Sequence, residues 1–496
     1  MRLPERDSWP QLSLRRAPRL LRGVVRGRQY AYNPDGYDAL ALLSPRAAQL
    51  VDLADGRDAG SLVAELAGER EASGWLEELP LLWRNGFVRT PDVVAAHPTQ
   101  PPERVFNAWL HLTNACNLAC PYCYIHKSKD HMSAHVVERV LAAVQATAAS
   151  GDVERIHVRY AGGEPMLRFE VMQAFHVQAV RLCSEHGVRF SAAVLTNGAV
   201  VPKGALQWLR DNNVSVSVSM DGLAELQDTM RPLVGGGSSY QRVLSGLSAY
   251  LGAGIVPYML VTIGESNLAG VPALTEFLLA RGLSFRYSLV RDLQWGQGGL
   301  DDRSGAADPQ QAGRAVPTLL DGPALQQVQA VFGQCYDTIE AHVGQAGPAK
   351  RRSAFRREHR FCDLSLWQPI RQACGAGRSY VAIAESGEVS PCQAALHRTG
   401  TTPLRAQSLL VQAASQTQLP DFVRSVGNPE CQRCRFKPSC AGGCPLLLHR
   451  REGHVDGRSP YCEVFRAVIP RIVRIAALEL VQQTIASRLA PAAPVA

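Results

Sequence analysis

Three closely spaced cysteines constrain this chain more than any other feature. Cys116, Cys120 and Cys123 lie in the run from His111 to Tyr124, with the spacing C-x3-C-x2-C. This spacing curls a short loop so that three thiolates converge, and cysteine is the usual ligand of iron–sulfur clusters. A 4Fe–4S cluster held by three cysteines keeps one iron open, as a catalytic metal site must. The pattern predicts a redox metal site, with zinc as the competing interpretation.

Length and composition indicate an ordinary globular protein. The chain has 496 residues, of which 46% are hydrophobic and 19% charged, and its length suggests two to four domains. No apolar run is long enough to predict a membrane span. The Arg-rich N-terminus lacks the apolar stretch of a secretory signal, although a transit peptide is an alternative.

Thirteen cysteines in a chain without a secretion signal are typical of metal ligands in the reducing cytoplasm. Cys183 and Cys335 stand apart from the spaced groups and are expected to be buried core residues. The net charge of +8 is a weak signal at this length, and no nucleic-acid-binding motif is present. We therefore expect neither nucleic acid nor a membrane as a partner.

Apolar periodicity predicts an α/β protein. Six short apolar strands alternate with amphipathic helices between residues 106 and 292, starting with Trp109–Thr113, which predicts a parallel sheet with helices outside, curled into an open partial barrel. Near the N-terminus we expect a strand at Tyr30–Asn33, a helical region from Ala39 to Leu53 and a further helix at Trp75–Trp83. The expected divisions are 1–95, an N-terminal domain; 106–292, the barrel; 293–360, an insertion and bridging helix; 361–465, a cysteine-rich domain; and 466–496, a terminal helix and tail.

Three short motifs follow successive predicted barrel strands. They are Gly162-Gly163-Glu164-Pro165, Thr196-Asn197-Gly198 and Ser219-Met220-Asp221-Gly222. Paired glycines let a backbone approach a ligand without a Cβ clash. Together with the cysteine loop, in which Tyr122 fills the aromatic position before the third cysteine, they resemble the radical S-adenosylmethionine (SAM) superfamily. The resemblance implies a partial (β/α)6 barrel with its active site at the carboxyl ends of the strands.

The same resemblance implies SAM and a 4Fe–4S cluster as cofactors. The amine and carboxylate of SAM would chelate the open iron, and one electron would split the sulfonium into methionine and a 5′-deoxyadenosyl radical, which removes hydrogen from an unactivated carbon. Glu164 would lie near the SAM ammonium, Asn197 and Ser219 near the ribose or carboxylate, and Arg231 could pair with the carboxylate. The implied SAM-binding residues are Tyr122, Gly162, Gly163, Glu164, Pro165, Asn197, Ser219 and Arg231. No catalytic proton donor or acceptor is identified.

A second cysteine series lies near the C-terminus. It consists of Cys374, Gly387 and Cys392, then Cys431-x2-Cys434-x5-Cys440-x3-Cys444, and finally Cys462. This pattern resembles the SPASM domain, an auxiliary-cluster module of radical SAM peptide and protein modifiers, and the resemblance implies two further 4Fe–4S clusters, three in all. The implied ligands are Cys374, Cys392 and Cys444 for the first auxiliary cluster, and Cys431, Cys434, Cys440 and Cys462 for the second. Cys362 either completes the first auxiliary cluster or leaves one iron open for a substrate thiolate. Two structural zinc sites are the alternative.

Three traits of the N-terminal segment stand out: the run from Tyr32 to Gly36, Leu53-Ala-Asp-Gly56 and the run from Leu82 to Val88. With these traits the segment resembles the small winged-helix RiPP recognition element, similar to the pyrroloquinoline-quinone peptide chaperone (RiPP denotes a ribosomally made, post-translationally modified peptide). Such domains bind a leader peptide by adding it as a strand to a sheet edge. A winged helix that only packs on the barrel is the alternative, and one that binds DNA is disfavoured because no basic recognition helix follows Leu62.

These resemblances predict a cytoplasmic radical SAM peptide maturase that binds a precursor leader and modifies the core. The expected product is a thioether or carbon–carbon cross-link. A flavodoxin or ferredoxin would supply electrons. The alternatives are a maturase of a protein, such as a sulfatase or a quinohemoprotein subunit, and a non-catalytic iron–sulfur peptide-binding protein.

Overall fold

The structure is a computed structural model that describes residues 6–67, 72–90, 104–291, 323–345, 361–367, 369, 375–396, 401–415, 428–452 and 457–489. The strands are β1 (Ser13–Arg16), β2 (Leu21–Val25), β3 (Arg28–Tyr32), β4 (Leu40–Leu43), β5 (Asp55–Asp58), β6 (Val88–Arg89), β7 (Val105–His111), β8 (Arg155–Ala161), β9 (Arg189–Thr196), β10 (Ser215–Ser219), β11 (Tyr258–Ile263), β12 (Phe285–Leu289), β13 (Tyr380–Ile383), β14 (Glu388–Ser390) and β15 (Thr402–Pro403).

The helices alternate with the strands in the middle of the chain and dominate its C-terminal end. They are α1 (Pro45–Leu53), α2 (Ala59–Ala67), α3 (Ala72–Leu76), α4 (Leu79–Arg84), α5 (Ala134–Ala149), α6 (Phe169–Glu185), α7 (Ala205–Asp211), α8 (Glu225–Met230), α9 (Ser239–Gly252), α10 (Val271–Ala280), α11 (Pro323–Gln345), α12 (Leu409–Ala414), α13 (Pro429–Arg433), α14 (Lys437–Cys440), α15 (Pro445–Glu452) and α16 (Cys462–Leu489). Short 3-10 helices occupy Arg6–Gln11, Pro165–Arg168, Glu265–Gly270 and Gln393–Ala395.

A nine-stranded mixed sheet forms the centre of the molecule. Its order is β12-β11-β10-β9-β8-β7-β13-β14-β15, and β7 to β12 run parallel with sequential neighbours paired. Helices connect these strands, so their carboxyl ends lie at one edge of the sheet. The predicted parallel α/β arrangement is confirmed, and the loops that follow the strands meet at this edge.

The two faces of the parallel strands differ in burial. Along β8, Ile156, Val158 and Tyr160 are buried in the main core, while Arg155, His157 and Arg159 are only half-buried. Because side chains of a strand alternate between faces, the buried set packs beneath the helices and the half-buried set points to the concave side. The concave side is therefore partly open and polar.

One strand boundary is corrected, and one strand of this sheet was not predicted. The first strand runs from Val105 to His111, so it overlaps the predicted Trp109–Thr113 but begins and ends earlier. In addition, β13, from the cysteine-rich region, pairs in parallel with β7, placing Tyr380 opposite Asn107. This long-range pairing satisfies the backbone groups that β7 would otherwise expose at a sheet edge.

The N-terminal region contains two small sheets, β5-β1-β6 and β2-β3-β4. The predicted helical region from Ala39 is wrong at its start, because Leu40–Leu43 pairs with β3 as a strand. The helix begins at Pro45, and the Ser44 hydroxyl accepts a hydrogen bond from the Ala47 amide at 3.0 Å. Pairing with β3 outweighs the apolar periodicity, and proline favours the first helical turn.

The predicted helix at Trp75–Trp83 is also corrected. It is two helices, α3 and α4, with a turn between them. Pro80 lies in the first turn of α4. A proline has no amide hydrogen to donate and clashes with the preceding turn, so it begins a helix and cannot continue one.

One N-terminal sheet is joined to the rest of the molecule. Val25, Tyr30 and Leu40 belong to the main core, which also contains much of α16. The Tyr32 hydroxyl donates a hydrogen bond to the Leu366 carbonyl at 2.5 Å. The β2-β3-β4 sheet is therefore fixed against the C-terminal helix, while Ala31 and the helices α1 and α2 form a separate core.

Some expectations lie outside the described residues: residues 293–322 and 346–360 of the expected insertion and bridging segment, Cys374, and residues 490–496 of the tail. The bridging helix expected between residues 293 and 360 is present as α11, and the expected terminal helix is present as α16. In the described part of the chain, no helix has an apolar stretch that would cross a bilayer.

Candidate active site and cysteine clusters

The loop that follows β7 brings three cysteines together. Cys116, Cys120 and Cys123 pack in one small cluster with Leu118 and Leu233. The Ala119 amide donates to the Pro232 carbonyl at 2.8 Å, and the Val234 amide donates to the Asn117 carbonyl at 2.9 Å. Backbone bonds therefore fix the loop against the segment that follows α8.

The thiols of this loop influence one another electrostatically. Burial raises the pKa of Cys120 to about 12, and the neighbouring Cys123 and Cys116 add to the rise while Arg231 opposes it. Burial also raises the pKa of Cys116. Buried thiols this close together require a compensating positive charge before they can ionise together.

Lys127 supplies a positive charge that the sequence analysis missed. Burial lowers the pKa of its ammonium, but all three cysteines raise it, and Lys127 hydrogen-bonds to Cys123; the balance is a raised pKa. An ammonium beside three thiolates favours their ionised, ligand-competent form. Its position four residues beyond Cys123 is the only signal that the sequence offered.

The two glycines after β8 let this strand's loop pack directly against the cysteine loop. A Cβ on Gly163 would lie 2.2 Å from the Ala115 carbonyl oxygen, and one on Gly162 would lie 2.5 Å from the Thr113 carbonyl oxygen. The Gly163 amide donates to Thr113 at 2.6 Å. The sequence analysis expected this close approach to be toward a ligand; in the structure it is toward the backbone of the cysteine loop.

Glu164 is fully buried at the same edge of the sheet. Its carboxylate accepts hydrogen bonds from the Met166 amide at 3.0 Å, the Thr196 hydroxyl at 2.8 Å and the Asn197 amide at 2.7 Å. Burial raises its pKa to about 7, while these hydrogen bonds oppose the rise. Glu164 thus ties the loop after β8 to the loop after β9, beside the buried Pro165.

Asn197 lies against the cysteine loop. Its side-chain amide donates to the Asn117 side chain at 2.7 Å and approaches the Cys116 sulfur at 3.8 Å. Ser219 ends β10 on the half-buried, concave face of the sheet. The structure therefore brings Asn197 and Glu164 together beside the first cysteine, with Ser219 at the end of the next strand.

Arg231 has a buried protein partner, which the sequence analysis did not anticipate. Its guanidinium donates to Asp221 at 2.7 and 3.3 Å, and Asp221 also accepts the Thr262 amide at 2.7 Å. The Tyr122 hydroxyl donates to the same carboxylate, and Arg231 lies over the Tyr122 ring at 5.5 Å. This network joins the cysteine loop to β10 and β11. Asp221 stood in the Ser-Met-Asp-Gly motif, but its partner was not evident there.

A second link joins the cysteine loop to the C-terminal region. His111 Nε2 is 2.8 Å from the Asn114 side-chain oxygen, and the Asn114 side-chain amide donates to Glu385 at 2.9 Å. Glu385 follows β13. A side-chain hydrogen bond therefore connects the C-terminal cysteine-rich region to the first cysteine loop.

Four C-terminal cysteines line one cavity of about 500 Å³. The Asn428 side chain caps α13 by accepting from the Glu430 amide at 2.8 Å, and glycines with positive φ follow α14. Basic side chains, among them Lys437 and Arg458, share the cavity wall. The lining cysteines are Cys431, Cys434, Cys440 and Cys462, the set that the sequence analysis assigned to one auxiliary cluster.

A further group of cysteines lies near Tyr124 and Arg291. Cys392 and Cys444 pack in one small cluster with Tyr124, and the Arg291 guanidinium is 3.6 Å from the Cys362 sulfur. Burial raises the pKa of Tyr124, and both Cys123 and Cys392 add to the rise. Tyr124 therefore lies between the first cysteine loop and this group. Their predicted companion, Cys374, lies outside the described residues.

The arrangement of the cysteine groups does not suit a single metal ion. Within the described ranges, no three His, Cys, Asp or Glu side chains stand close enough to enclose one metal ion. The donor set of each group consists of sulfur, which suits iron–sulfur clusters. The two isolated cysteines, Cys183 and Cys335, are fully buried in the main core, as expected.

Comparison with known proteins agrees with this geometry. Residues 110–278, which contain the cysteine loop and the motifs after β8, β9 and β10, match the radical SAM superfamily. The chain carries a radical SAM domain. It is a radical SAM enzyme, and SAM with a 4Fe–4S cluster are the cofactors that this match supports.

The similarity to individual relatives extends beyond this domain. The serine-type anaerobic sulfatase-maturating enzyme of Klebsiella aerogenes is 23% identical over 376 residues, which cover 68% of this chain and 78% of the relative. The mycofactocin maturase MftC of Mycolicibacterium smegmatis is 25% identical over 365 residues, 71% of this chain and 81% of the relative. The solved structure of anSMEcpe with bound AdoMet superposes with a TM-score of 0.56 at 16% identity, over 75% of this chain and 99% of that one. The chain therefore shares the α/β fold of anSMEcpe.

Proposed function

We propose that the protein is a radical SAM maturase of a ribosomally made peptide. The observation that carries the proposal is the convergence of Cys116, Cys120 and Cys123 at the carboxyl ends of the parallel strands, next to the concave face of the sheet. Two relatives that share most of this chain's length are maturases. Bound SAM and a reduced cluster would supply a 5′-deoxyadenosyl radical for hydrogen abstraction.

The residues at this edge have separate tasks in the proposal. The three cysteines hold the cluster, with Lys127 offsetting the negative charge of their thiolates. Glu164, Asn197 and Ser219 line the SAM side of the site, while Gly162 and Gly163 permit the close packing that positions them. Pro165 begins the 3-10 helix beneath Glu164. Because Asp221 already holds Arg231 and Tyr122, these residues act mainly by positioning the cysteine loop.

The C-terminal cysteines suit a role in electron transfer. A cross-link removes two hydrogens from the peptide: one is abstracted as an atom, and the other leaves as a proton whose electron needs an acceptor. Cys431, Cys434, Cys440 and Cys462 share one cavity and would hold a second auxiliary cluster. Cys374, Cys392 and Cys444 would hold the first, with Cys362 as the candidate fourth ligand. Cys392 and Cys444 of this set lie close to Tyr124. A flavodoxin or ferredoxin would reduce the enzyme.

The β2-β3-β4 sheet is our candidate for binding the leader peptide. The β2–β3 hairpin turns at Arg26 and Gly27, and its register pairs Val25 with Arg28 and Gly23 with Tyr30. The amide of Val24 therefore points away from β3, where an added strand would pair with it. Binding the leader there would raise the effective concentration of the core peptide at the barrel.

Substitution at this edge tests leader binding. Val24→Pro removes the outward amide without removing a bond to β3, whereas Val24→Thr keeps the amide and the branched side chain. We expect Val24→Pro to slow modification of the full precursor encoded beside this chain, and Val24→Thr to leave the rate unchanged. A leader-deleted precursor should react slowly with both variants. Equal rates for the full and leader-deleted precursors would contradict the leader-binding role.

The type of product follows from the mass of the modified peptide. A cross-link lowers the mass by that of two hydrogen atoms, epimerisation leaves it unchanged and excision removes a larger fragment. We expect the cross-link. The measurement is mass spectrometry of the precursor after co-expression with the wild type, compared with the Cys116→Ala variant.

Maturation of a protein substrate is the second candidate. The similarity to the Klebsiella aerogenes enzyme and the fold shared with anSMEcpe favour it. However, a quarter of this chain has no counterpart in anSMEcpe. Modification of a full-length folded protein encoded beside this chain, without modification of any short peptide, would establish this candidate in place of the first.

A further inference from the structure

Two arginines face the concave side of the central sheet. Arg159 lies on β8 and Arg286 on β12, and each is half-buried between fully buried neighbours along its strand. The neighbours of Arg286, Phe285 and Tyr287, belong to the main core with α11. Since strand side chains alternate, both guanidinium groups point into the interior of the partial barrel.

The arginines are close enough to influence each other. The Arg159 guanidinium donates to the Asn107 side-chain oxygen at 3.1 Å. Burial lowers the pKa of Arg159, Arg286 lowers it further, and Tyr380 and Cys362 oppose the change. The interior therefore brings together two cations, with a phenol and a thiol near Arg159.

Carboxylates are missing from the walls around these cations. The six parallel strands β7 to β12 contain no Asp or Glu at any position. Among the residues that the structure describes, neither Arg159 nor Arg286 forms an ion pair. By contrast, Arg231 is paired with Asp221, and Arg291 with Asp363. Two neighbouring cations shielded from water repel each other and are stabilised by an anion between them.

We propose that the interior of the barrel binds a side-chain carboxylate of the substrate, an Asp or Glu in the core peptide, between Arg159 and Arg286. Guanidinium groups bind carboxylates through paired, charge-assisted hydrogen bonds, which fix orientation as well as position. The carboxylate anchors the modified segment below the carboxyl ends of the strands, where the abstracted hydrogen must lie. This inference rests on the proposed peptide-modifying function and identifies the chemistry of the residue that the site recognises.

Small amide-blocked probes test the proposal with the anaerobically reconstituted full chain in the presence of SAM. We expect N-acetyl-glutamate N-methylamide to bind at least ten-fold more tightly than N-acetyl-glutamine N-methylamide by titration calorimetry. Arg159→Gln and Arg286→Gln should each abolish this preference. The matched control is Arg181→Gln, an exposed arginine on α6, which should retain it. Arg159→Lys keeps the charge and should also retain it, which separates loss of the cation from misfolding.

Other probes distinguish the source of the anion. N-acetylglycine offers only a terminal carboxylate, and we expect it to bind more weakly than the glutamate probe. Equal binding of the glutamate and glutamine probes, tighter binding of N-acetylglycine or of inorganic phosphate, or the same loss in Arg181→Gln would each overturn the proposal. If the wild type fails to cleave SAM, that result contradicts the proposed function, whatever the probe titrations show. The carboxylate proposal is tested by the probe titrations alone.

Discussion

At the scale of single residues, Asp221 is the most consequential side chain outside the cysteines. It is fully buried and accepts hydrogen bonds from Arg231, the Thr262 amide and Tyr122. Arg231 in turn lies close enough to Cys120 to lower the pKa of its thiol. One carboxylate therefore holds both the aromatic residue of the cysteine loop and the cation beside that loop.

Replacing Asp221 tests this arrangement. Asp221→Asn leaves Arg231 buried without its counter-charge, which typically costs about 3–5 kcal/mol in the free energy of unfolding. We expect that loss together with reduced iron binding, measured by denaturant unfolding and iron analysis. Asp211→Asn is the control: its pair with Arg210, at 3.7 Å, is exposed, and such pairs contribute about 0–1 kcal/mol. Similar losses in both variants would contradict the account.

His176 is a second residue whose burial has a measurable consequence. It is 3% exposed, lies near Phe190 and Trp208, and its Nδ1 is 3.0 Å from the Tyr160 hydroxyl. Burial lowers its pKa to about 4, so the ring is neutral in the folded protein at neutral pH. Below pH 6.5 the histidine ring takes up a proton when the protein unfolds. The contribution of His176 to the free energy of unfolding is therefore fully present at neutral pH and is lost as the pH falls toward 4.

His176→Asn keeps an acceptor near the Nδ1 position and removes the titrating ring. We expect the variant's free energy of unfolding to fall less steeply than the wild type's between pH 6.5 and 4, by up to about 1.4 kcal/mol per pH unit for one proton. Denaturant unfolding at several pH values in that window measures the difference. Parallel pH dependences would show that His176 is not the site of proton uptake.

At the scale of elements, the loop after β8 sets how closely the cysteine loop packs on the barrel. Position 163 requires glycine, because the Cβ of any other residue would lie 2.2 Å from the Ala115 carbonyl oxygen. We expect Gly163→Ala to displace the cysteine loop and lower iron binding by the reconstituted protein. Gly252→Ala is the control, because nothing lies within 4 Å of its Cβ position at the end of α9. Normal iron content in Gly163→Ala would contradict this packing role.

Elements with local causes were predictable from the sequence. The alternation of strands and helices between β8 and β12 follows from apolar periodicity, and the grouping of Cys431, Cys434, Cys440 and Cys462 around one cavity agrees with the ligand set that the SPASM resemblance implies. The elements that the sequence did not predict depend on partners far away in the chain. β4 is a strand because β3 pairs with it, and β13 joins β7 across more than 250 residues of chain.

The site shows the same division between local and distant causes. Gly163 and Glu164 were identifiable from their motif, but the motif did not show that Gly163 meets the Ala115 carbonyl or that Glu164 accepts three hydrogen bonds. Lys127 carries no motif of its own. Its importance arises from the folded loop, which places its ammonium beside three thiols.

At the scale of the whole molecule, the cysteine groups are held in one framework. Asn114 and Glu385 connect the first cysteine loop to the turn after β13, and Tyr124 contacts the environment of Cys392. The long helix α16 starts at Cys462 and packs on both α11 and the β2-β3-β4 sheet. Direct contacts therefore connect the proposed peptide-binding sheet, the barrel and the C-terminal cysteines.

The most direct measurement of the central claim is SAM cleavage by the anaerobically reconstituted full chain with dithionite. Chromatography with mass spectrometry quantifies 5′-deoxyadenosine and methionine. The account predicts that the wild type and Cys183→Ala, which removes a buried core thiol, form 5′-deoxyadenosine, while Cys116→Ala, Cys120→Ala and Cys123→Ala do not. Wild-type protein that binds iron but never cleaves SAM, or undiminished cleavage by these three variants, would contradict it.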